Sequence, residues 1–295
     1  EPVQEARETV QEEDLYVEEE TSVEPPPPPV PEEVSEPLAE EFPDSGSVWQ
    51  DAAELPEVPE TVTVETPLYI AEFSTRGASI VSFRLKKFSN RRGGNTQIIL
   101  GGGDAESAYP NAYLTFKRIN LSTNELLFQP STRSLRLDAG EEGELMFTAT
   151  LRNGAEIRNS YKFHADRYIL ELQSETEGLA AGDEYYFRWD GGVNVTEPDT
   201  IHDLSYAKAY ALMGGELEKF DAKGKGTERI SPSGNVEWIA ARSKYFEIAV
   251  IPEGDTEGID FVGSRTGSDK TAMKVYQLAV KMSNTGGGDI SQQNY

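Results

Sequence analysis

Residues 61–295 predict an all-β fold, an extended two-sheet antiparallel sandwich with few short helices. Three observations lead there. Apolar residues recur at every second position through most of the stretch, tight-turn dipeptides separate the runs, and no long segment repeats its apolar residues at helical spacing. At about 12 residues per strand and turn, the stretch has room for roughly sixteen to twenty strands.

The elements follow in order. In 79–86, Val81, Phe83 and Leu85 alternate with Ser82, Arg84 and Lys86. Arg76-Gly77 joins this run to an earlier one over 68–74. In 144–151, Leu145, Phe147, Ala149 and Leu151 share one face. In 156–163, Ile157, Tyr161 and Phe163 oppose Glu156, Arg158, Ser160 and Lys162. These are half-buried strands, apolar side inward. Asn153-Gly154 between the last two is a strong hairpin signal. Further strands are expected over 168–174, 184–190, 236–251, 258–263 and 271–282. Residues 201–213 fit either a short helix or a strand. No internal repeat is visible.

Residues 1–60 differ in kind. They hold 20 of the chain's 52 acidic residues, one basic residue (Arg7), and 11 of its 17 prolines, including Pro25 to Pro29. Such a segment buries too little apolar surface to offset its ordering entropy, so it is expected to be a disordered, extended tether. Val48-Trp49 and Leu55 are its candidate contacts with the folded part, and residues 51–54 its candidate helical turn. The chain as a whole carries a formal charge of -25. That charge argues against nucleic-acid binding and against adhesion to an anionic lipid surface. It also favours a monomer, through self-repulsion. The 295 residues contain no cysteine, so disulfides, thiolate metal sites and a Cys nucleophile are excluded. No run of about 18 apolar residues reads as a membrane-spanning helix. The chain begins at Glu1 without an initiator Met and reads as an excised fragment.

The chemical inventory is thin. His164 reads as a strand-end residue. His202, in Asp199-Thr200-Ile201-His202-Asp203, has no second histidine at ligand spacing and reads as a polar loop. The glycine clusters at 101–103, 214–215 and 286–288 do not open helices after strands, so they are loops rather than phosphate cradles. Lys223-Gly224-Lys225-Gly226 is a short basic loop. No Gly-x-Ser-x-Gly elbow occurs. Acidic residues are too common to nominate a glycosidase pair. Trp189, Trp238, Tyr185 and Tyr186 offer possible sugar platforms, but core packing is the default for aromatics in strands. The expectation is no catalytic, cofactor-binding or metal-binding residue.

Three stretches carry a resemblance. They are residues 69–88, beginning Tyr69-Ile70-Ala71-Glu72-Phe73 and including Arg76 and Gly77; residues 168–172 with Phe187-Arg188-Trp189-Asp190-Gly191-Gly192; and residues 238–252, including Trp238, Arg242-Ser243-Lys244-Tyr245-Phe246 and Pro252. In this order and spacing they resemble the large periplasmic domain of bacterial YidC-type membrane protein insertases. The third stretch is the most specific. The resemblance implies a super-sandwich similar to galactose mutarotase domains. It places residues 1–60 between a first membrane helix and the domain, and a membrane-embedded insertase core of the same full-length chain beyond Tyr295. The core's functional residues lie outside this sequence, and the tether is longer and more acidic than the family pattern. Arg76, Gly77, Trp189, Gly191, Trp238, Tyr245, Phe246 and Pro252 are therefore expected to be structural. The implied role is a non-catalytic module at the periplasmic face of the inner membrane, with the Sec translocon and nascent membrane proteins as candidate partners. A carbohydrate-binding or mutarotase-like protein is the alternative, and a structural surface domain on a stalk is the third reading.

Overall fold

The computed structural model describes residues 58–89, 94–99, 112–117, 119–179, 184–194, 196, 205–224, 226–266, 273–283 and 293–294. These residues belong to one contact unit, 42–295. Residues 1–57 of the expected tether, with its helical turn, as well as His202 and the glycine loops at 101–103 and 286–288, lie outside the described residues.

In chain order the first ten strands are β1 (Thr61–Glu65), β2 (Tyr69–Ser74), β3 (Ser79–Ser89), β4 (Asn95–Gln97), β5 (Tyr113–Phe116), β6 (Leu121–Ser122), β7 (Gln129–Pro130), β8 (Ser134–Arg136), β9 (Glu142–Thr150) and β10 (Glu156–His164). The rest are β11 (Leu170–Glu177), β12 (Glu184–Gly191), β13 (Lys208–Met213), β14 (Glu216–Phe220), β15 (Thr227–Ile230), β16 (Val236–Arg242), β17 (Glu247–Val250), β18 (Thr256–Thr266), β19 (Met273–Ser283) and β20 (Gln293–Asn294). A single 3-10 turn, Thr123–Glu125, interrupts them among the described residues.

The all-β expectation holds, but the strands form four hydrogen-bonded sheets rather than two. The orders are β4-β3-β2-β1-β8, β20-β11-β10-β9-β7, β15-β18-β19-β12-β5-β6 and β14-β13-β16-β17. Pairing is antiparallel except between β1 and β8. The first sheet packs on the second through Phe73, whose ring lies 4.8 Å from Tyr161, 5.9 Å from Phe147 and 5.8 Å from Phe163. All four rings are fully buried, and each burial contributes about 2 kcal/mol. The third sheet packs on the fourth, with Phe220 edge-on to Tyr276 at 6.0 Å. Gly263 is required at that contact, because a Cβ there would come within 2.8 Å of both Phe220 and Ala222.

The two sandwiches are stitched side by side. Ile99 bridges Val193, and the Asn194 amide nitrogen donates to the Ile98 carbonyl at 2.8 Å. The β9–β10 ladder runs in register from Thr150↔Glu156 to Glu142↔His164, with the expected hairpin at Asn153-Gly154. Two readings change. The run over 236–251 is a hairpin, β16 and β17 around a turn at Ser243–Phe246, not one strand. Within 201–213, residues 208–213 are strand β13, and 201–204 lie outside the described residues.

Candidate functional site

The residues singled out in the sequence fall into two groups. Arg76 and Gly77 make the β2–β3 turn. Arg76 bridges Leu127, and the Gly77 amide donates to the Leu126 carbonyl at 2.8 Å. Gly77 has φ +73°, and Ala78 follows at +50°. A Cβ at 77 would meet Ser79 Oγ at 2.5 Å and Asn124 Cα at 3.0 Å, so only glycine fits. The Ala78 carbonyl then accepts the Tyr161 hydroxyl at 2.7 Å, which ties the turn into the first sandwich. Trp189 is buried in β12, and Gly191 closes that strand opposite Tyr276 with φ +110°. These residues position the scaffold.

The second group faces outward. Trp238 is half-buried on the outer side of β16, opposite Leu212, while its neighbour Ile239 points into the core. The core position expected for Trp238 is thus taken by Ile239. Pro252 is half-buried just after β17. Tyr245 and Phe246 occupy the β16–β17 turn. Ser243 builds that turn: its amide donates to the Phe246 carbonyl at 2.8 Å, and its hydroxyl accepts from the Phe246 amide at 3.2 Å. Tyr245 is thereby left 59% exposed.

Neighbours of this turn come from the resembling stretches 69–88 and 168–172, which the sequence did not bring together in space. Phe88, on the end of β3, lies edge-on to Phe246 at 5.8 Å and 6.4 Å from Tyr168 of the β10–β11 turn. Tyr168 also lies 6.4 Å from the buried Tyr69. The Lys244 ammonium stands 4.7 Å over the Tyr245 ring and 5.9 Å from that of Tyr206. Phe88, Tyr168, Ile169, Tyr206 and Tyr245 are all exposed. Four chain segments, remote in sequence, thus place aromatic side chains around the β16–β17 turn, forming an aromatic end of the two hairpins, β10–β11 and β16–β17. Exposed aromatics grouped in this way are uncommon on a surface that has no contacts to make.

Ionisable groups elsewhere are engaged by neighbours. On the outer face of β9–β10–β11, His164 contacts Glu142 through Nδ1 at 3.0 Å and Glu171 through Nε2 at 2.9 Å. Both ring nitrogens are occupied, which leaves neither open toward a substrate. Lys162 lies 3.2 Å from Glu142 and holds that carboxyl below its ordinary range. A shallow polar groove of about 310 Å³ lies here, lined by residues including Glu144, Ser160 and Gln173. On the third sheet, Tyr113 donates to Asp190 Oδ2 at 2.6 Å, and Gln277 donates to the same oxygen at 3.3 Å. Burial pushes the Asp190 carboxyl up from its ordinary range. The Tyr113 hydroxyl is raised too, by burial first and by the Asp190 charge second. Asp190 Oδ1 has no partner among the described residues. Asp260 holds Arg229 at 2.6 and 2.7 Å and accepts from Ser231 at 2.8 Å. No grouping of three His, Asp or Glu residues fit for a metal ion occurs among the described residues.

The fold is an all-β super-sandwich domain with a group of exposed aromatic side chains around the β16–β17 turn. The sequence profile of the YidC periplasmic domain matches residues 61–295, and the chain belongs to that family. It is 30% identical over 241 residues to the membrane protein insertase YidC of Chlorobaculum tepidum, covering 80% of this chain and 40% of that protein. The chain therefore spans about two fifths of the length of the curated relatives it matches. Among solved structures, HI1317 superposes with a TM-score of 0.51 at 10% identity, covering 84% of this chain and 96% of the other. That likeness supports the shared fold alone. A galactose mutarotase related enzyme from Lactobacillus acidophilus aligns with a TM-score of 0.44 at 9% identity, over 79% of this chain and 96% of its own.

Proposed function

We propose that this domain is the non-catalytic periplasmic module of an inner-membrane protein insertase. In this reading it assists insertion and folding by holding the membrane-embedded core of the same full-length chain in position. It does so near Sec translocon components or emerging membrane segments, with the acidic, Pro-rich residues of the first fifth of the chain acting as its tether. The observation that carries the reading is the aromatic end built by Phe88, Tyr168, Tyr245 and Phe246, a surface suited to binding and not to bond-making. The engaged nitrogens of His164 support the non-catalytic part, since a sugar-converting site needs a free base and acid converging on a cleft.

The test is complementation of insertase-depleted cells by the full-length protein lacking residues 61–295. We expect substrates to insert with reduced efficiency or slower kinetics while the embedded core retains activity. Complete loss of insertion with a stably produced core would show that the domain is more than an accessory. Turnover of an aldose anomer by the isolated chain would replace this reading with the sugar-active one.

A further inference from the structure

The aromatic end has a second property, its local charge. The segments that carry it also carry Lys87, Arg167, Arg242 and Lys244, against two carboxylates, Asp166, 3.9 Å from Arg167, and Glu247, the cross-strand partner of Arg242, which leaves an excess of two positive charges. Lys87, Arg167 and Arg242 are exposed. The rest of the chain is acidic, so this end is a cationic island on an anionic molecule. Its apolar side chains sit on turn tips and a strand end, with Ile169 58% and Tyr245 59% exposed. They project outward from two neighbouring turns and an overrunning strand. Tyrosines and phenylalanines interleaved with Lys and Arg are the side chains that settle at a membrane–water interface: rings at headgroup depth, cations on phosphate.

From this juxtaposition we infer that the end formed by Phe88, Tyr168, Ile169, Tyr245 and Phe246 docks on an anionic lipid surface. Net charge predicts the opposite, and distance decides between the two. At physiological ionic strength a charge acts over about 8 Å, so only those at the contact end count. Each Lys or Arg near an anionic surface contributes about 1 kcal/mol, and inserted rings add to that. The affinity need only be weak, because a domain tethered beside a membrane meets it at high effective concentration. That last step rests on the proposed placement of the domain. The lipid contact itself does not, and the experiment keeps the two apart.

The 295-residue chain is mixed with vesicles of phosphatidylethanolamine carrying about 30% phosphatidylglycerol, and separately with phosphatidylcholine vesicles, then separated by flotation. We expect binding to the anionic vesicles, weakened several-fold by 0.5 M salt (on the order of a 4 Å Debye length). Phe88→Ser with Tyr245→Ser should lower the partition coefficient about tenfold. Both side chains are exposed, so circular dichroism and thermal melting should remain those of the parent. As a second readout, Tyr245→Trp should shift its emission to the blue on binding and be quenched by lipids spin-labelled near the headgroup. Absence of binding to anionic vesicles, or binding indifferent to the double substitution, would overturn the inference. So would capture of an apolar peptide by this end without lipid binding, which would assign it to polypeptide. None of these outcomes bears on the insertion experiment above, so failure of one reading is distinguishable from failure of the other.

Discussion

At the scale of the residue, Asp190 shows how the scaffold tolerates an awkward group. Its carboxyl is buried on β12, with one oxygen shared by Tyr113 and Gln277 and the other without a partner among the described residues. Burial is the dominant influence and raises its pKa, against the lowering effects of Tyr113, Arg188 and Gln277. The folded state therefore holds this proton more tightly than the unfolded chain does. In the window above the ordinary carboxylate value the native state binds more protons, so stability falls as pH rises through it. Asp190→Asn removes the buried charge and keeps an acceptor for Tyr113. It should melt higher than the parent at pH 7, by about 1 kcal/mol, and the difference should vanish near pH 3. Thermal melts across that range check it; a lower melting point at pH 7 would show that the ionised carboxylate is stabilising. Ion pairs such as Lys86–Glu65 run the other way. Lys86 holds Glu65 below its ordinary value, so its contribution is present at neutral pH and fades in acid.

At the scale of the element, the β16–β17 hairpin presents Tyr245 and Phe246 from its turn. Its turn contains no Gly, Pro or Asn, and the Ser243 hydroxyl replaces the backbone geometry those residues supply. Ser243→Ala should cost about 1 kcal/mol in urea unfolding and raise amide exchange over 243–247. Unchanged exchange there would mean that cross-strand pairing alone fixes the turn. This is also why the sequence reading made 236–251 one strand: a turn closed by one serine hydroxyl leaves no breaker to see. By contrast β9 and β10 were legible, since Leu145, Phe147 and Ala149 and then Ile157, Tyr161 and Phe163 recur on the inward face, with Asn-Gly between the strands. Strands such as β6 and β7, two residues long, are too short to show a period at all. The aromatic end was hidden for another reason. β3 continues past Leu85, which pairs with the first residue of β2, so Phe88 extends beyond its β2 partner and stays exposed. Residue type cannot separate such a ring from a core ring; only strand overlap can. Trp238 is the same lesson on β16, where a shifted register with β13 sets which side chains face in.

At the scale of the whole molecule, two sandwiches meet at the Ile99–Val193 bridge, and their inner faces absorb most of the large apolar side chains among the described residues. The family's resemblance was readable because its motifs sit where geometry is least forgiving: the left-handed Gly77 turn, the close of β12 at Gly191, and the Ser243–Phe246 turn. In the proposed role, the aromatic end, and not the outer face of β9–β11, is the surface through which this domain makes its contacts. A photo-crosslinking amino acid placed at Tyr245, and separately at Ser160 in the polar groove, tests this in the full-length protein in native membranes. Abundant adducts with membrane components are expected from position 245 and few from position 160. Adducts concentrated at 160, with 245 silent, would contradict it.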